Sequence, residues 1–455
     1  MNFGGRLFFF YEIKEALLDC TTVRLFFSAI ARLNVWKLKK TGRSYEVLAA
    51  ALRVERDFSA VSPDVVPLWV HRLTQEYRQN VQHWRDLVRA FQETELARFH
   101  SARYRSFDLP DRVRIRQPKN PPPPERQGDL LVLKPWCGTE EKGVILLNFD
   151  ETVDKFFSLF DVEKVATKYR LVVEPSAWGY QQVRMYLLRG LATDVVIQAQ
   201  YRQDYEYIDA LGGSLRPIRL GAGDWADPEL FQSGRNTDKK YDLVMIANWL
   251  KWKRHKLLFR SMRDLQGNIG RVALIGYPIE GRTSDEIRLL AARYGVAGKI
   301  DLFENVSATE VGQLVRSAKV GIMLSKKEGA NRGIYECFFS DVPVILSSSN
   351  IGVNRDHINK MTGVVSSDSE LAKVILYMVG NYDRFAPREW ALNNTGTQKS
   401  SAVLNSFLRD LAEKRGEVWK QDIFPKKNAP NPLYLSFDNQ KDADREIDKL
   451  AEMLL

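Results

Sequence analysis

The chain has 455 residues, of which 44% are hydrophobic and 27% are charged, which fits two or three globular domains and excludes disordered, collagen-like and coiled-coil proteins. Lys and Arg outnumber Asp and Glu by 67 to 57, and residues 1–128 hold 22 of these cations against 14 of the anions. Most of the excess positive charge therefore lies in the first third of the chain, where it favours an anionic partner: a phospholipid surface, a nucleic acid or a phosphorylated substrate.

The cysteines and the N-terminal residues indicate the compartment. Cys20, Cys137 and Cys337 are too few and too far apart for a disulfide framework or a zinc cluster. Glu12 and Glu15 interrupt the apolar residues near the N-terminus, so we expect no secretion signal. No charge-free stretch approaches the length of about 20 residues that a membrane-spanning helix needs. The sequence therefore predicts a cytoplasmic protein.

Residues 1–106 are predicted to form a basic helical region. The segment 70–105 lacks Gly and Pro and repeats its apolar residues at spacings of three and four, which is typical of amphipathic helices. Four consecutive prolines, 121–124, then break the pattern. A run of prolines favours an extended backbone, so 107–128 is predicted to be a stiff connector.

After this connector, short apolar runs alternate with helical segments in two series. Strands that alternate with helices indicate parallel sheets covered on both faces. A polar, glycine-rich stretch separates the two series and has the composition of a hinge. The predicted regions are an α/β domain at 129–220, a hinge at 221–240, a second α/β domain at 241–380 and C-terminal helices at 381–455. The first of these helices, within 383–411, is expected to cross back to the first α/β domain.

The stretch 325–350 carries the clearest chemical signal. Glu328 lies in a short loop after an apolar strand, and Glu336 lies about one turn inside the helix that follows. In an open α/β sheet, ligands bind where the strands end and loops lead into helices. The two carboxylates can accept hydrogen bonds from hydroxyl groups, which sugars supply. This arrangement therefore predicts a site for a hydroxyl-rich ligand.

The spacing Glu328-x7-Glu336 between two strands resembles the signature of family-4 retaining glycosyltransferases of the GT-B fold. The resemblance covers roughly residues 241–380 and includes the loop from Ala247 to Lys253. It implies an α/β protein with two Rossmann-like domains that face each other across a cleft. It also implies transfer of a sugar from a nucleotide-diphosphate-sugar, with UDP- or GDP-sugars favoured, to a carbohydrate or lipid-linked acceptor in polysaccharide or other glycan biosynthesis.

The resemblance also implies roles for individual residues. The first glutamate contacts hydroxyls of the donor sugar, the second holds the ribose, and the lysine neutralises the diphosphate, so that no further cofactor and no metal ion are required. Backbone N–H groups of the loop between the glutamates face the sugar and the diphosphate. The residues concerned are Lys253 and Glu328 as catalytic residues, and Glu336, Arg254, Gly329, Ala330, Asn331 and Gly333 as donor-binding residues.

The sequence departs from the family pattern at two points. Asn248 stands where the family usually has a phosphate-binding arginine, although Arg254 next to Lys253 could replace it. The first α/β domain contains no histidine, whereas the family usually places one beside the donor. A protein that binds a nucleotide sugar without transferring it, with a role in assembly or regulation, is therefore a second interpretation.

Residues 1–40 mix aromatic and aliphatic side chains with lysines and arginines. A basic amphipathic helix of this kind can lie in the interface of a membrane. The same composition also fits a helical cap that packs on the α/β domain and exposes its basic face. Both interpretations stay open, and the membrane interpretation would place the protein at the inner face of the membrane. The sequence contains no signature of a nucleic-acid-binding module, so no nucleic-acid partner is expected.

Overall fold

The structure is a computed structural model. It describes residues 17, 20–59, 63–79, 81–105, 130–138, 141–176, 179–265, 267–329, 331–428 and 432–455. The predicted connector 107–128, most of the first 19 residues and Ala330 lie outside these ranges. No helix in the described ranges combines the length and the hydropathy needed to cross a bilayer.

The chain divides into two compact units. Among the described residues, the N-terminal unit takes those within 10–220, 403–426 and 431–455, and the C-terminal unit takes those within 221–402 and 427–430. The chain therefore passes into the C-terminal unit at Gly221, returns to the N-terminal unit between Ala402 and Val403, and belongs once more to the C-terminal unit over 427–430.

Helices form the first part of the N-terminal unit, and a five-stranded sheet follows. The helices are α1 (Thr21–Lys40), α2 (Ser44–Ser59), α3 (Leu68–Gln79), α4 (Val81–Gln92) and α5 (Glu95–Arg105). The strands are β1 (Leu130–Lys134), β2 (Gly143–Asn148), β3 (Tyr169–Glu174), β4 (Val195–Gln198) and β5 (Leu215–Ile218), in that spatial order. The connecting helices are α6 (Asp150–Leu159), α7 (Val162–Lys168), α8 (Val183–Arg189) and α9 (Arg202–Leu211).

Two local features of this sheet differ from the sequence predictions. Strand β1 pairs antiparallel with β2, whereas β2 to β5 are parallel as expected. The single helical segment expected between β2 and β3 is two helices, because the Asp161 side chain accepts a hydrogen bond from the Lys164 N–H at 3.2 Å and begins α7. A side chain in this position satisfies a backbone donor at a helix start, which favours a new helix there.

The N-terminal helices and the sheet share one hydrophobic core. A single cluster joins Leu48 of α2 and Phe91 of α4 to Leu147 of β2, and the Trp84 indole N–H donates a hydrogen bond to the Leu187 carbonyl at 2.7 Å. Helix α1 belongs instead to a smaller cluster with α2 and α3, in which Val35 is its one buried residue.

A six-stranded parallel sheet forms the centre of the C-terminal unit. Its strands are β6 (Tyr241–Ile246), β7 (Val272–Gly276), β8 (Ile300–Glu304), β9 (Ala318–Met323), β10 (Val344–Ser347) and β11 (Gly363–Ser366). Its helices are α10 (His255–Asp264), α11 (Ser284–Arg293), α12 (Ala308–Arg316), α13 (Gly333–Phe339), α14 (Leu371–Asn381) and α15 (Pro387–Asn394).

The spatial order of these strands is β11-β10-β9-β6-β7-β8. If β6 is counted as strand 1 and β11 as strand 6, the sheet read from its β8 edge has the order 3-2-1-4-5-6. This is the strand order of the Rossmann fold. The order reverses between β6 and β9, which pair in parallel. Loops that leave neighbouring strands in opposite directions open a crevice at their carboxyl ends, and ligands bind there in sheets of this kind.

The C-terminal region contains more elements than the sequence predicted. The segment 383–411, in which one helix was expected, contains α15 and the greater part of α16 (Thr397–Lys414). The break between these helices lies at Thr395 and Gly396, and φ of Gly396 is +91°. The Gly396 N–H donates to the Asp224 carbonyl at 3.0 Å, so the segment after Leu220 determines where the break occurs. The remaining elements are β12 (Lys426–Asn428), β13 (Pro432–Tyr434) and α17 (Phe437–Ala451).

Candidate active site

The loops that follow β6 and β9 bring Lys253 and Glu328 together. Lys253 ends a single 3₁₀ turn after β6, and Glu328 lies in the loop between β9 and α13. The ammonium nitrogen of Lys253 is 2.6 Å from Oε1 of Glu328, and the two side chains are only 14% and 7% exposed. Since β6 and β9 flank the point where the strand order reverses, this pair lies where a Rossmann sheet binds its ligand.

The backbone around Glu328 is braced by the segment after β10. The Asn350 amide donates to the Ser325 carbonyl at 2.8 Å, and the Glu328 N–H donates to the Ile351 carbonyl at 2.9 Å. Gly352 has φ of +102°, and a Cβ at this position would lie 1.8 Å from the Glu328 carbonyl oxygen. Only glycine therefore permits this approach, which holds the loop of Glu328 in place.

Arg254 lies at the same edge of the sheet but turns toward a protein carboxylate. Its backbone is left-handed, with φ of 66°, and its guanidinium pairs with both oxygens of Asp368. It also donates to the Ser349 hydroxyl at 3.1 Å and to the Leu324 carbonyl at 3.3 Å. The sequence left the direction of this side chain open. Its proposed role as a donor-binding cation stays a prediction.

Glu336 and Asn331 are buried polar residues close in sequence to Glu328. Burial raises the pKa of the Glu336 carboxyl, and the Arg332 charge partly opposes that rise. Asn331 is 1% exposed, and neither its amide nitrogen nor its amide oxygen has a hydrogen-bond partner within the described ranges. An unsatisfied buried amide is costly, and a bound ligand would recover that cost.

Gly329 and Gly333 bracket the loop that carries Asn331. Gly329 directly follows Glu328, and Gly333 is the first residue of α13, where it approaches the Ile246 side chain. Ala330, the remaining predicted site residue, lies outside the described ranges. The structure thus places the described site residues in the segments after β6 and β9, and their roles stay predictions.

The loop after β6 is supported by contacts of the Trp249 side chain with Glu304 and His255. The Trp249 indole N–H donates to Oε2 of Glu304 at 2.9 Å, and the His255 ring packs 5.6 Å from the Trp249 ring. Burial, together with the Lys253 charge, lowers the pKa of His255 to about 3. His255 is therefore neutral at physiological pH and acts as a packing residue.

The residues that position the loop of Glu328 and the Arg254 side chain were not predicted from the sequence. Asn350, Gly352 and Asp368 all lie after the motif helix, in loops that follow β10 and β11. A polar run from Ser347 to Asn350 was the available signal, since such a run at a strand end often marks a functional loop. Nothing in the sequence pairs this run with the loop of Glu328. In the described ranges, no cluster of three or more His, Cys, Asp or Glu residues could hold a metal ion.

The same part of the chain matches a known protein family. Residues 226–384, less than half of the chain, match the family model of group 1 glycosyl transferases. The matched segment contains Lys253, Glu328 and Glu336. The predicted α/β class, with two Rossmann-like units in one chain as in the GT-B fold, is confirmed. The assignment to family 4 and the Glu-x7-Glu signature stay predictions.

Solved structures with similar folds include several glycosyl-transferring proteins, all of them distant. Sucrose-phosphate synthase from Thermosynechococcus elongatus is 15% identical, with a TM-score of 0.47, over 60% of this chain and 74% of that chain. A glycosyltransferase from Rickettsia africae is 15% identical, with a TM-score of 0.46, over 59% and 76% of the two chains. Anabaena HepE in complex with UDP and glucose is 14% identical, with a TM-score of 0.46, over 60% and 78%. The comparison with curated proteins gave no match.

Proposed function

We propose that this protein is a glycosyltransferase that moves a sugar from a nucleotide-diphosphate-sugar to an acceptor, with retention of anomeric configuration. The observation that carries the proposal is the pair of Lys253 and Glu328 at the point where the strand order reverses. This pair lies within the segment that matches group 1 glycosyl transferases.

Both members of the pair keep hydrogen-bonding capacity for a donor. An ammonium group has three N–H donors, and a carboxylate has about four acceptor positions. The contact at 2.6 Å uses one of each. Lys253 can therefore donate to a phosphate oxygen while Glu328 accepts from a sugar hydroxyl. Their mutual attraction orients both side chains before the donor arrives, which lowers the cost of organising the site.

The proposed reaction is a front-face displacement. The acceptor oxygen bonds to the anomeric carbon as the bond from that carbon to the diphosphate breaks, and the acceptor proton passes to the departing phosphate oxygen. Negative charge grows on the diphosphate in the transition state, where Lys253 stabilises it. No metal ion is needed if Lys253 supplies this charge.

The remaining donor contacts are assigned to the segment between β9 and α13. Glu336 accepts hydrogen bonds from the ribose hydroxyls, and the backbone N–H groups of Gly329, Ala330 and Asn331 face the sugar and the diphosphate. The side-chain amide of Asn331 supports this assignment, because it is buried and has no hydrogen-bond partner in the described ranges. The acceptor is a carbohydrate or a lipid-linked molecule in glycan biosynthesis.

Release of nucleoside diphosphate tests the proposal. The full chain is incubated with a panel of UDP- and GDP-sugars and saccharide acceptors, and the released nucleoside diphosphate is measured. Lys253→Ala should lower kcat/KM by about 10²–10³-fold, the usual effect of removing one charge-stabilising donor. Lys253→Arg should recover part of the loss, since the charge remains but its geometry changes.

Lys256→Ala is the matched control, because Lys256 belongs to the same basic run but is exposed on α10. Its kcat/KM should equal that of the wild type. Equal activity of Lys253→Ala and Lys256→Ala would contradict the proposed role of Lys253. A donor that raises the melting temperature without any release of nucleoside diphosphate would support the second interpretation, a binding protein without transfer.

A further inference from the structure

Helix α1 has two apolar faces, and only one of them packs on the protein. Val35 is buried on the packed face, with Phe27, Ala31 and Leu38 partly buried against the cluster of α2 and α3. Because that face already anchors the helix, the opposite face is not needed to hold α1 in place.

The opposite face of α1 carries large apolar side chains that are 49% to 68% exposed. They follow one another at spacings of one, four, three and three residues, so at about 100° per residue they share one side of the helix. The residues are Leu25, Phe26, Ile30, Leu33 and Trp36. We call this surface the α1 outer face. Clustered exposed apolar side chains mark an interaction site more often than scattered ones do.

The charges of α1 restrict what can cover this face. The 20 residues of the helix include five cations and no carboxylate. Lys37, Lys39 and Lys40 stand in its last turn, and the Lys40 ammonium lies 3.8 Å from the Trp36 ring centroid. Lys39 is 3.8 Å from Glu76, but both side chains are about half exposed, so this contact neutralises little of the charge.

We propose that the α1 outer face binds the surface of a bilayer that contains anionic phospholipids. A helix with one apolar side and adjoining cations lies in the plane of the interface, with its apolar side chains among the acyl chains and its lysines at the headgroup phosphates. Trp36 suits the boundary between the two, because its ring is apolar and its N–H is polar. A second copy of the chain fits less well, since two-fold pairing of the outer faces would bring the cations of both helices together.

Sedimentation of the full-length protein with vesicles tests this proposal. The vesicles consist of phosphatidylcholine alone or of phosphatidylcholine mixed with phosphatidylglycerol. The protein should bind the mixed vesicles and not the neutral ones, and added salt should weaken the binding. Leu33→Glu with Trp36→Glu should lower the partition coefficient by at least about tenfold, the effect of losing two buried apolar side chains.

A second variant separates the charge from the apolar contacts. Lys37→Gln with Lys40→Gln should lower the partition coefficient by about fivefold for each cation, the loss that corresponds to ~1 kcal/mol per charge. Leu289→Glu, on an exposed part of α11, is the matched control and should bind vesicles like the wild type. All variants should melt at the wild-type temperature, because the altered side chains are exposed.

Several outcomes would overturn the proposal. These are no binding to the mixed vesicles, equal binding to both kinds, or binding that the outer-face variants do not change. A wild-type dimer that Leu33→Glu dissociates would assign the face to a second copy. A lower melting temperature of the variants, with no vesicle binding by the wild type, would show that the face is covered within the protein. None of these outcomes bears on the glycosyl-transfer proposal, which the release assay tests separately.

Discussion

Glu336 is a buried carboxyl group whose burial costs stability. Its pKa is raised because the charged form loses water, and the Arg332 charge compensates only in part. A residue that destabilises the protein in its charged form is expected to serve another purpose. In the proposed site that purpose is to accept hydrogen bonds from the ribose.

The effect of Glu336 on stability should depend on pH. An acid whose pKa rises on folding binds its proton more tightly in the folded protein, so the free energy of unfolding falls as pH increases through the folded pKa. Glu336→Gln removes this dependence. We expect the variant to melt at a higher temperature than the wild type at pH 8 and at a similar temperature below about pH 4.3, the ordinary glutamate value.

The same variant should bind the donor more weakly. Because the ribose contact exists in the ground state and in the transition state alike, the donor KM should rise while kcat changes little. Glu310→Gln, an exposed glutamate of α12, is the control for both measurements. An unchanged donor KM would count against the ribose assignment, and a lower melting temperature at pH 8 would count against the cost of burial.

At the scale of elements, the loop of Glu328 is held by the segment that follows β10. The Ile351 N–H donates to the Lys326 carbonyl at 2.8 Å, and Lys327 and Ile351 form a parallel bridge. These contacts continue the pairing of β9 and β10 beyond the ends of both strands. The position of the Glu328 carboxylate is therefore set by backbone pairing as well as by its own ion pair with Lys253.

Gly352→Ala should disrupt this pairing. The new Cβ would meet the Glu328 carbonyl, and φ of +102° is strained for alanine. We expect a loss of stability of about 1–3 kcal/mol and a fall in kcat/KM of more than about tenfold, because displacing a catalytic group by a fraction of an ångström is enough to slow a reaction. Thermal melting and the release assay measure the two effects.

Gly380→Ala is the matched control for this substitution. Gly380 lies in α14, and a Cβ there would meet no atom within 4 Å. Alanine at a helical position should raise stability by ~0.5–1 kcal/mol and leave activity unchanged. If Gly352→Ala behaved like Gly380→Ala, the close approach to Glu328 would not be needed for the site.

At the scale of the whole molecule, one buried carboxylate joins distant parts of the N-terminal unit. Asp194 is 1% exposed and accepts two hydrogen bonds from Arg415, at 2.5 and 2.8 Å. It also lies 3.2 Å from Arg216 at the β5 strand and 3.9 Å from Arg170 in β3. These contacts hold the residues that follow α16 against the amino-terminal ends of the strands.

Asp194→Asn should destabilise the protein strongly. Arg170 keeps its ion pair with Glu417 at 2.6 Å, and Arg415 and Arg216 are partly exposed, so the cost is that of losing hydrogen bonds between a buried carboxylate and charged donors, about 1.5–3 kcal/mol. The urea midpoint of unfolding should fall accordingly. Asp285→Asn is the control, since the Asp285 side chain is 83% exposed and pairs only with Arg288, and its midpoint should not change. An unchanged midpoint for Asp194→Asn would show that the contacts of Asp194 with the arginines do not stabilise the protein.

The local features of this protein were readable from its sequence. The alternation of apolar runs with helical segments predicted both sheets and the parallel direction of all their strands except β1, because period and composition are properties of neighbouring residues. Glu328 and Glu336 stood out because they lie in the loop and in the helix that follow a predicted strand, whereas Lys253 was singled out by the resemblance to glycosyltransferases. The sequence also indicated an amphipathic α1, whose exposed apolar face the structure then displayed.

Tertiary structure decided what depends on residues far apart in the chain. Lys253 and Glu328 are separated by 75 positions, and Arg254 and Asp368 by 114, so no local pattern relates them. The break before α16 likewise depends on a distant partner, because the Gly396 N–H donates to the Asp224 carbonyl. Periodicity identifies which face of an element is apolar, but the partner of a polar group follows only from the packing of the complete sheet.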